Sequence, residues 1–184
     1  MKLNFPNLLT LLRIAVIPLV LGLLWLNTPS MNFGAMVFFA IACITDFFDG
    51  YFARRWDQVS AFGRTLDPIA DKLLVSLCLF VLVSMDRIEG VHVLPALIIL
   101  CREILVSGLR EYLASVQILL PVSRGAKWKT ALQMVAVGAL VLGSGGGDVF
   151  PTHAVGVFLL WLSAGLTIIT AYAYMKVGFK HMDV

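Results

Sequence analysis

Charge is scarce in this chain: Asp, Glu, Lys and Arg make up 14% of its 184 residues, against 60% hydrophobic. A soluble domain carries about a quarter charged residues and would have no surface on which to leave so much Leu, Ile, Val and Phe. Residues of several common sites are missing too. The three cysteines (Cys43, Cys78 and Cys101) have neither metal-ligand nor disulfide-framework spacing and read as small core residues. His92, His153 and His181 are scattered, and none is assigned a chemical task. The glycine run SGGGD at 144–148 is followed by no Lys-Ser/Thr pair, so it reads as a tight turn and not a nucleotide loop. No inverted repeat of the transporter kind is visible. The net charge of +3 is weak ground for a nucleic-acid partner, and none is expected.

What remains is long apolar sequence. A membrane span needs about 20 mainly apolar residues. The pattern predicts an all-α, polytopic membrane protein with six transmembrane helices, at roughly 8–27, 33–53, 63–85, 91–113, 129–146 and 152–175, in a single domain over 1–184. Arg13 inside the first apolar stretch, with no small-residue cleavage site after it, predicts a retained helix and not a removable signal. Six spans put both termini on one side, together with Lys2, Arg54, Arg55, Arg124, Lys127, Lys129, Lys176 and Lys180, while Arg87 stands alone on the other. Cytoplasmic loops are the Lys/Arg-rich ones, so both termini are expected in the cytoplasm. Trp25, Trp56, Trp128, Tyr51 and Tyr174 are candidates for the membrane boundary.

The few acids are placed unevenly. Asp46 and Asp49 are three apart, with Gly50 and Ala53 continuing that helical face. Gly63, Asp67 and Asp71 are four apart on the next helix. A short connection makes the two helices antiparallel neighbours, so four carboxylates are expected to converge near the cytoplasmic boundary. Unpaired, they would be costly at that depth. Oxygen-ligated divalent cations remove the difficulty, and a cluster without His or Cys favours magnesium or manganese over zinc. Two such ions could clamp a diphosphate, and the small residues leave room for it beside a helix backbone. A proton or cation pathway would use similar acids but would not explain the glycines or the adjacent basic residues. Asp57, Asp86, Glu89, Asp148 and Asp183 fall in loops or at the tail and read as ordinary surface acids.

The segment 46–71 resembles the signature of the CDP-alcohol phosphotransferase family, Asp-x-x-Asp-Gly-x-x-Ala-Arg followed by Gly-x-x-x-Asp-x-x-x-Asp. Every fixed position is present: Asp46, Asp49, Gly50, Ala53, Arg54, Gly63, Asp67 and Asp71, with residues 55 to 62 between the halves. The resemblance implies an integral membrane enzyme of six helices, usually a homodimer, in which an alcohol displaces CMP from a CDP-linked donor. It implies that the four aspartates hold two Mg2+ or Mn2+ ions, that Asp71 is also the general base, and that Gly50, Ala53, Arg54 and Gly63 shape the nucleotide pocket. Likeness continues through NFPNLLTLLRIAVIP (4–18), DPIADKLLV (67–75), CREILVSGLREYLA (101–114) and KWKTALQM (127–134). These stretches resemble bacterial family members whose donor is CDP-diacylglycerol and whose acceptor is sn-glycerol 3-phosphate, at the inner membrane among its phospholipids. One departure is Ala126, where such enzymes often carry glycine.

An acceptor phosphate calls for cations. Arg102 and Arg110 lie two helical turns apart, and Glu103 and Glu111 repeat that spacing. Arg110 with Lys127 and Lys129 could form a phosphate-binding wall, since arginine offers a bidentate fork and lysine a point charge. Two rival readings stay open: an internal Arg–Glu network that only orders helices, and lysines that anchor anionic headgroups. Asn7, Thr10 and Arg13, three apart on the first helix, could meet the CDP group, or Asn7 and Thr10 could be capping residues. Such cations are not needed for inositol or serine; a phosphatidylglycerol acceptor, giving cardiolipin, remains a neighbouring alternative.

Overall fold

A computed structural model describes residues 5–55, 61–118, 124–146 and 151–180. Within these residues the fold is all-α. The long helices are α1 (Phe5–Leu26), α2 (Pro29–Arg55), α3 (Ala61–Ser84), α4 (Val93–Ser115), α5 (Arg124–Leu142) and α6 (Thr152–Lys180), with short 3-10 turns at Gly90–His92 and Gly143–Gly146. The glycine run therefore does form part of a turn. At 1.5 Å per residue, the 22 residues of α1 extend about 33 Å, the thickness of a bilayer's hydrocarbon core.

The turns are closed by local chemistry. Asn27, Asp86 and Gln117 take positive φ (50°, 56° and 62°) just past α1, α3 and α4. Asn and Asp tolerate that conformation because their short side chains bond locally. The chain reverses after α3 with the amides of Arg87 and Ile88 both donating to the Leu82 carbonyl, at 3.0 and 3.2 Å.

Each helix divides its apolar residues between an inner and an outer face. On α1, Thr10, Arg13, Ile17, Val20 and Leu24 are buried, whereas Leu8, Leu12 and Leu19 are exposed. On α6 the buried set is Leu160, Ser163, Ala164, Thr167, Thr170 and Tyr174, and Phe158, Ile168, Ile169 and Tyr172 face outward. Helices that are apolar all round belong in a hydrophobic solvent. Among the described residues, four stretches are long and apolar enough to cross a membrane: Leu8–Leu26, Pro29–Asp46, Gly90–Ser115 and Thr152–Gly178. The protein is thus a polytopic, all-α membrane protein. Trp25, late in α1, and Trp128, early in α5, are both exposed at opposite ends of the bundle, as boundary aromatics would be. Tyr174, also expected at a boundary, is instead buried with Val106, Leu109 and Leu113 in a small α4–α6 core.

The expected six spans are matched by six helices, but among the described residues α3 and α5 are too charged or too weakly apolar to rank with those four. The reason is visible in their composition and position. Asp67, Asp71 and Lys72 lie in α3, Lys127 and Lys129 in α5, and both helices supply the main core: Leu74, Cys78, Leu79 and Leu82 from α3, Ala136, Val137 and Leu140 from α5. Facing protein, they need less apolar surface. The packing also differs from the simple hairpin expected for α2 and α3. Among the described residues these two scarcely touch; α1 packs against both, α2 against α5, and α6 against α4 and α5.

Candidate functional site

The polar interior lies toward the end of the bundle where α1, α3 and α5 begin and α2 ends. Thr10 and Arg13 are a helical turn apart on the inner face of α1, and each engages a carboxylate from another helix. Thr10 Oγ1 donates to Asp67 Oδ1 of α3 at 2.5 Å, and Arg13 Nη1 is ion-paired with Asp46 Oδ1 of α2. The helix between α2 and α3 thus joins their acids, through one hydroxyl and one guanidinium. Gly63, a turn before Asp67, is buried as the sequence pattern requires of a close approach.

A second cluster lies on α4, α5 and α6. Glu103 accepts from Lys129 Nζ and, at 3.2 Å, from Arg102 Nη1. Arg102 also reaches Thr170 Oγ1 at 3.4 Å, and its guanidinium carbon lies 5.9 Å from the centre of the Tyr174 ring, within cation–π range. Asp71 connects the two clusters: the charges bearing on it are Asp46, Glu103, Arg13 and Lys129. Beside it on α3, Lys72 is bonded to Ser107 of α4.

Of the residues singled out in the sequence, Asp46, Asp67, Asp71, Thr10, Arg13, Gly63, Arg102 and Lys129 lie toward this interior. Arg110 and Lys127 do not; both are exposed, and Lys127 is two residues from buried Lys129, a spacing that puts side chains on different faces. The backbone of α2 continues through Asp49, Gly50, Ala53 and Arg54, and that of α1 includes Asn7, but the surroundings of these side chains lie outside the described residues. Glu103, Ser107, Thr170 and Lys72 were not singled out as site residues. Glu103 alone had a signal, its repeat with Glu111 beside two arginines.

The donor set was tested against a divalent cation. Its acids offer carboxylate oxygen only, the chemistry of hard cations, and Thr10 and Arg13 steady two of them through one oxygen each. Among the described residues no three acidic, His or Cys side chains form a metal-holding group by themselves. Asp49, the fourth expected ligand, is outside that description. Donor chemistry fits; the ion's identity is not defined by it.

At the opposite end, Arg87 follows α3 and closes the bundle. Its guanidinium donates to the carbonyls of Leu140 and Val141 at 3.1 and 2.8 Å and to Asn27 Oδ1 at 2.5 Å. These are carbonyls that the end of α5 leaves without helical partners. Thr152 Oγ1 donates to the Gly143 carbonyl at 2.7 Å, and His153 Nε2 is 2.9 Å from the Arg87 carbonyl. Partial burial lowers the Arg87 pKa, though arginine stays protonated. Arg87 is thus a clamp on four segments.

The sequence model of a family described as CDP-alcohol phosphatidyltransferase matches residues 3–169. Similar proteins share nearly the full length. One from Rickettsia bellii is 48% identical over 178 residues, 97% of each chain, and one from Rickettsia typhi is 49% identical over 174 residues, 94% of this chain and 96% of its own. One from Escherichia coli is 37% identical over 178 residues, 96% of this chain and 95% of its own. All three are named CDP-diacylglycerol–glycerol-3-phosphate 3-phosphatidyltransferase.

Proposed function

The chain belongs to the CDP-alcohol phosphatidyltransferase family, and on that footing we propose that it transfers the phosphatidyl group of CDP-diacylglycerol to sn-glycerol 3-phosphate. The products are phosphatidylglycerophosphate and CMP, an entry into anionic phospholipid synthesis. The observation that carries this reading is likeness over 97% of both chains to a relative named for that activity. The buried acid–cation interior supports it.

In this reading α3 and α5 also cross the membrane, giving six spans in one domain over 1–184. The protein lies in a bacterial inner membrane with both termini cytoplasmic, as the Lys/Arg asymmetry favours, and works as a homodimer. The donor's acyl chains stay in the bilayer while its headgroup enters the polar end.

The acceptor hydroxyl oxygen attacks the donor's β-phosphorus. A new P–O bond forms, the bond to the bridging oxygen breaks, and CMP leaves with that electron pair. Asp71 takes the hydroxyl proton. Two divalent cations, Mg2+ or Mn2+, would be held by Asp46, Asp49, Asp67 and Asp71 and would neutralise charge on the diphosphate. Arg13 and Thr10 orient Asp46 and Asp67. Gly50, Ala53, Arg54, Gly63 and Asn7 receive the nucleotide, and Arg102 and Lys129 meet the acceptor phosphate, with Arg110 and Lys127 attracting it from the exposed surface.

An acceptor panel tests the proposal: purified protein, CDP-diacylglycerol, divalent metal, and glycerol 3-phosphate, phosphatidylglycerol, inositol or serine, scored by CMP and lipid product. CMP release that requires glycerol 3-phosphate supports it. Release driven by phosphatidylglycerol would replace it with cardiolipin synthesis, and no acceptor-dependent release would overturn it.

A further inference from the structure

The interior places one glutamate between two cations. We infer that Glu103 is a positioning residue of the acceptor site: it holds Arg102 and Lys129 together on its own carboxylate. This deepens the transferase reading and rests on it for the identity of the acceptor.

Three observations carry the inference. First, the side chain of Lys129 is only 3% exposed, a depth at which lysine must be paired. Lys129 is bonded to Glu103. Second, Arg102 turns toward Glu103 although neighbouring helical residues ordinarily point apart. One carboxylate then serves two cations, and the trio keeps a net positive charge, suited to a phosphate dianion. Third, polar atoms around the trio are buried without partners among the described residues: Arg102 Nε, Gln133 Oε1 on α5, and Thr167 Oγ1 on α6. Gln133 is one turn beyond Lys129, and Thr167 one turn before Thr170, which Arg102 touches. Buried polar groups find partners. A small phosphorylated alcohol would supply them, its phosphate at the cations and its hydroxyls at Gln133 and Thr167.

Without the negative charge at position 103, Lys129 loses the carboxylate it is bonded to, and the cation pair loses its spacing. Glu103→Gln should therefore raise the KM for glycerol 3-phosphate at least tenfold while the KM for CDP-diacylglycerol moves less than twofold. Glu103→Asp, which keeps the charge, should recover much of the difference and serves alone if the glutamine variant does not fold, with an intermediate rise in acceptor KM. A role in folding alone would lower the active fraction and leave both KM values in place. Calorimetric binding of inorganic phosphate without donor gives a readout independent of turnover: wild type should bind it, and Glu103→Gln at least tenfold more weakly. If wild type binds phosphate through this trio but shows no glycerol-3-phosphate-dependent CMP release, the transferase reading fails and the cation-positioning role stands. Unchanged acceptor KM and phosphate affinity in folded Glu103 variants, or no phosphate binding by wild type, would overturn the assignment of Glu103.

Discussion

Arg13 and Asp46, 33 residues apart on α1 and α2, form an ion pair in which the arginine side chain is 0% exposed and the aspartate 38%. The arginine is the committed partner: it has no route back to water, whereas the carboxylate retains an open side. Removing Asp46 therefore takes a carboxylate away from a charge that stays buried, and removing Arg13 frees a carboxylate that water can reach.

That asymmetry gives the first prediction. Asp46→Ala should destabilise the fold more than Arg13→Met, because it removes a carboxylate from a guanidinium that stays buried, whereas the other change leaves the charge that water can reach. Thermal unfolding in detergent orders the two variants. Both should lose metal-dependent CMP release by at least tenfold, since one removes a proposed ligand and the other its orienting partner. Equal unfolding midpoints in the two variants would contradict the asymmetry.

Thr10 tests orientation without removing charge. Thr10→Val keeps the shape but removes the hydroxyl that donates to Asp67. A hydrogen bond to a charged group is worth about 2 kcal/mol, so the metal concentration for half-maximal CMP release should rise roughly tenfold or more. Thr10→Ser should stay near wild type. A metal titration that superimposes for Val and Ser variants would separate Thr10 from the carboxylate site.

Much of this was legible in the sequence, and the gaps have a common cause. Helical spacing located Asp67 and Asp71 on one face, and apolar length located six helices within a few residues of their ends. Spacing says nothing of which helix lies between two others, so the insertion of α1 between α2 and α3 and its bonds to Asp46 and Asp67 came only with the fold. Arg87 looked like a lone surface charge because carbonyls at a helix end carry no sequence mark. The separation of Lys127 from Lys129 could have been read beforehand from their two-residue spacing. Apolar length, and not position in a packed bundle, governed the expectation for α3 and α5, whose inward faces relax the demand for apolar residues.

The Arg87 clamp predicts a stability effect detached from chemistry. Arg87→Ala removes three donor contacts and leaves the last carbonyls of α5 unpartnered. Loss on the order of 2 kcal/mol follows for charge-assisted bonds. Gly143→Ala should act in the same direction, because φ is +45° there and an added Cβ would lie 2.9 Å from Arg87 Nη1. Unfolding midpoints should fall in both variants, while kcat per folded molecule stays within twofold. A selective rise in acceptor KM would instead tie this end of the bundle to catalysis.

The last prediction separates Asp71 from the other acids. Asp46 and Asp67 are each bonded to a side chain of α1, whereas Asp71 feels the Asp46 and Glu103 charges and is the proposed base. Asp46→Asn and Asp67→Asn should abolish turnover chiefly by losing metal, because each removes an ionised ligand at nearly constant volume. Asp71→Asn should weaken metal binding less and retain CDP-diacylglycerol binding, yet lose at least a hundredfold in single-turnover rate at saturating metal, the scale expected for a positioned proton acceptor. Metal occupancy, donor binding and single-turnover CMP release, measured on the same folded preparations, resolve the two patterns. Near-normal chemistry in Asp71→Asn at saturating metal would remove the base role and leave Asp71 as a ligand alone. Parallel loss of metal and donor in all three variants would instead make the acids one indivisible cluster, in which no single carboxylate can be credited with the proton.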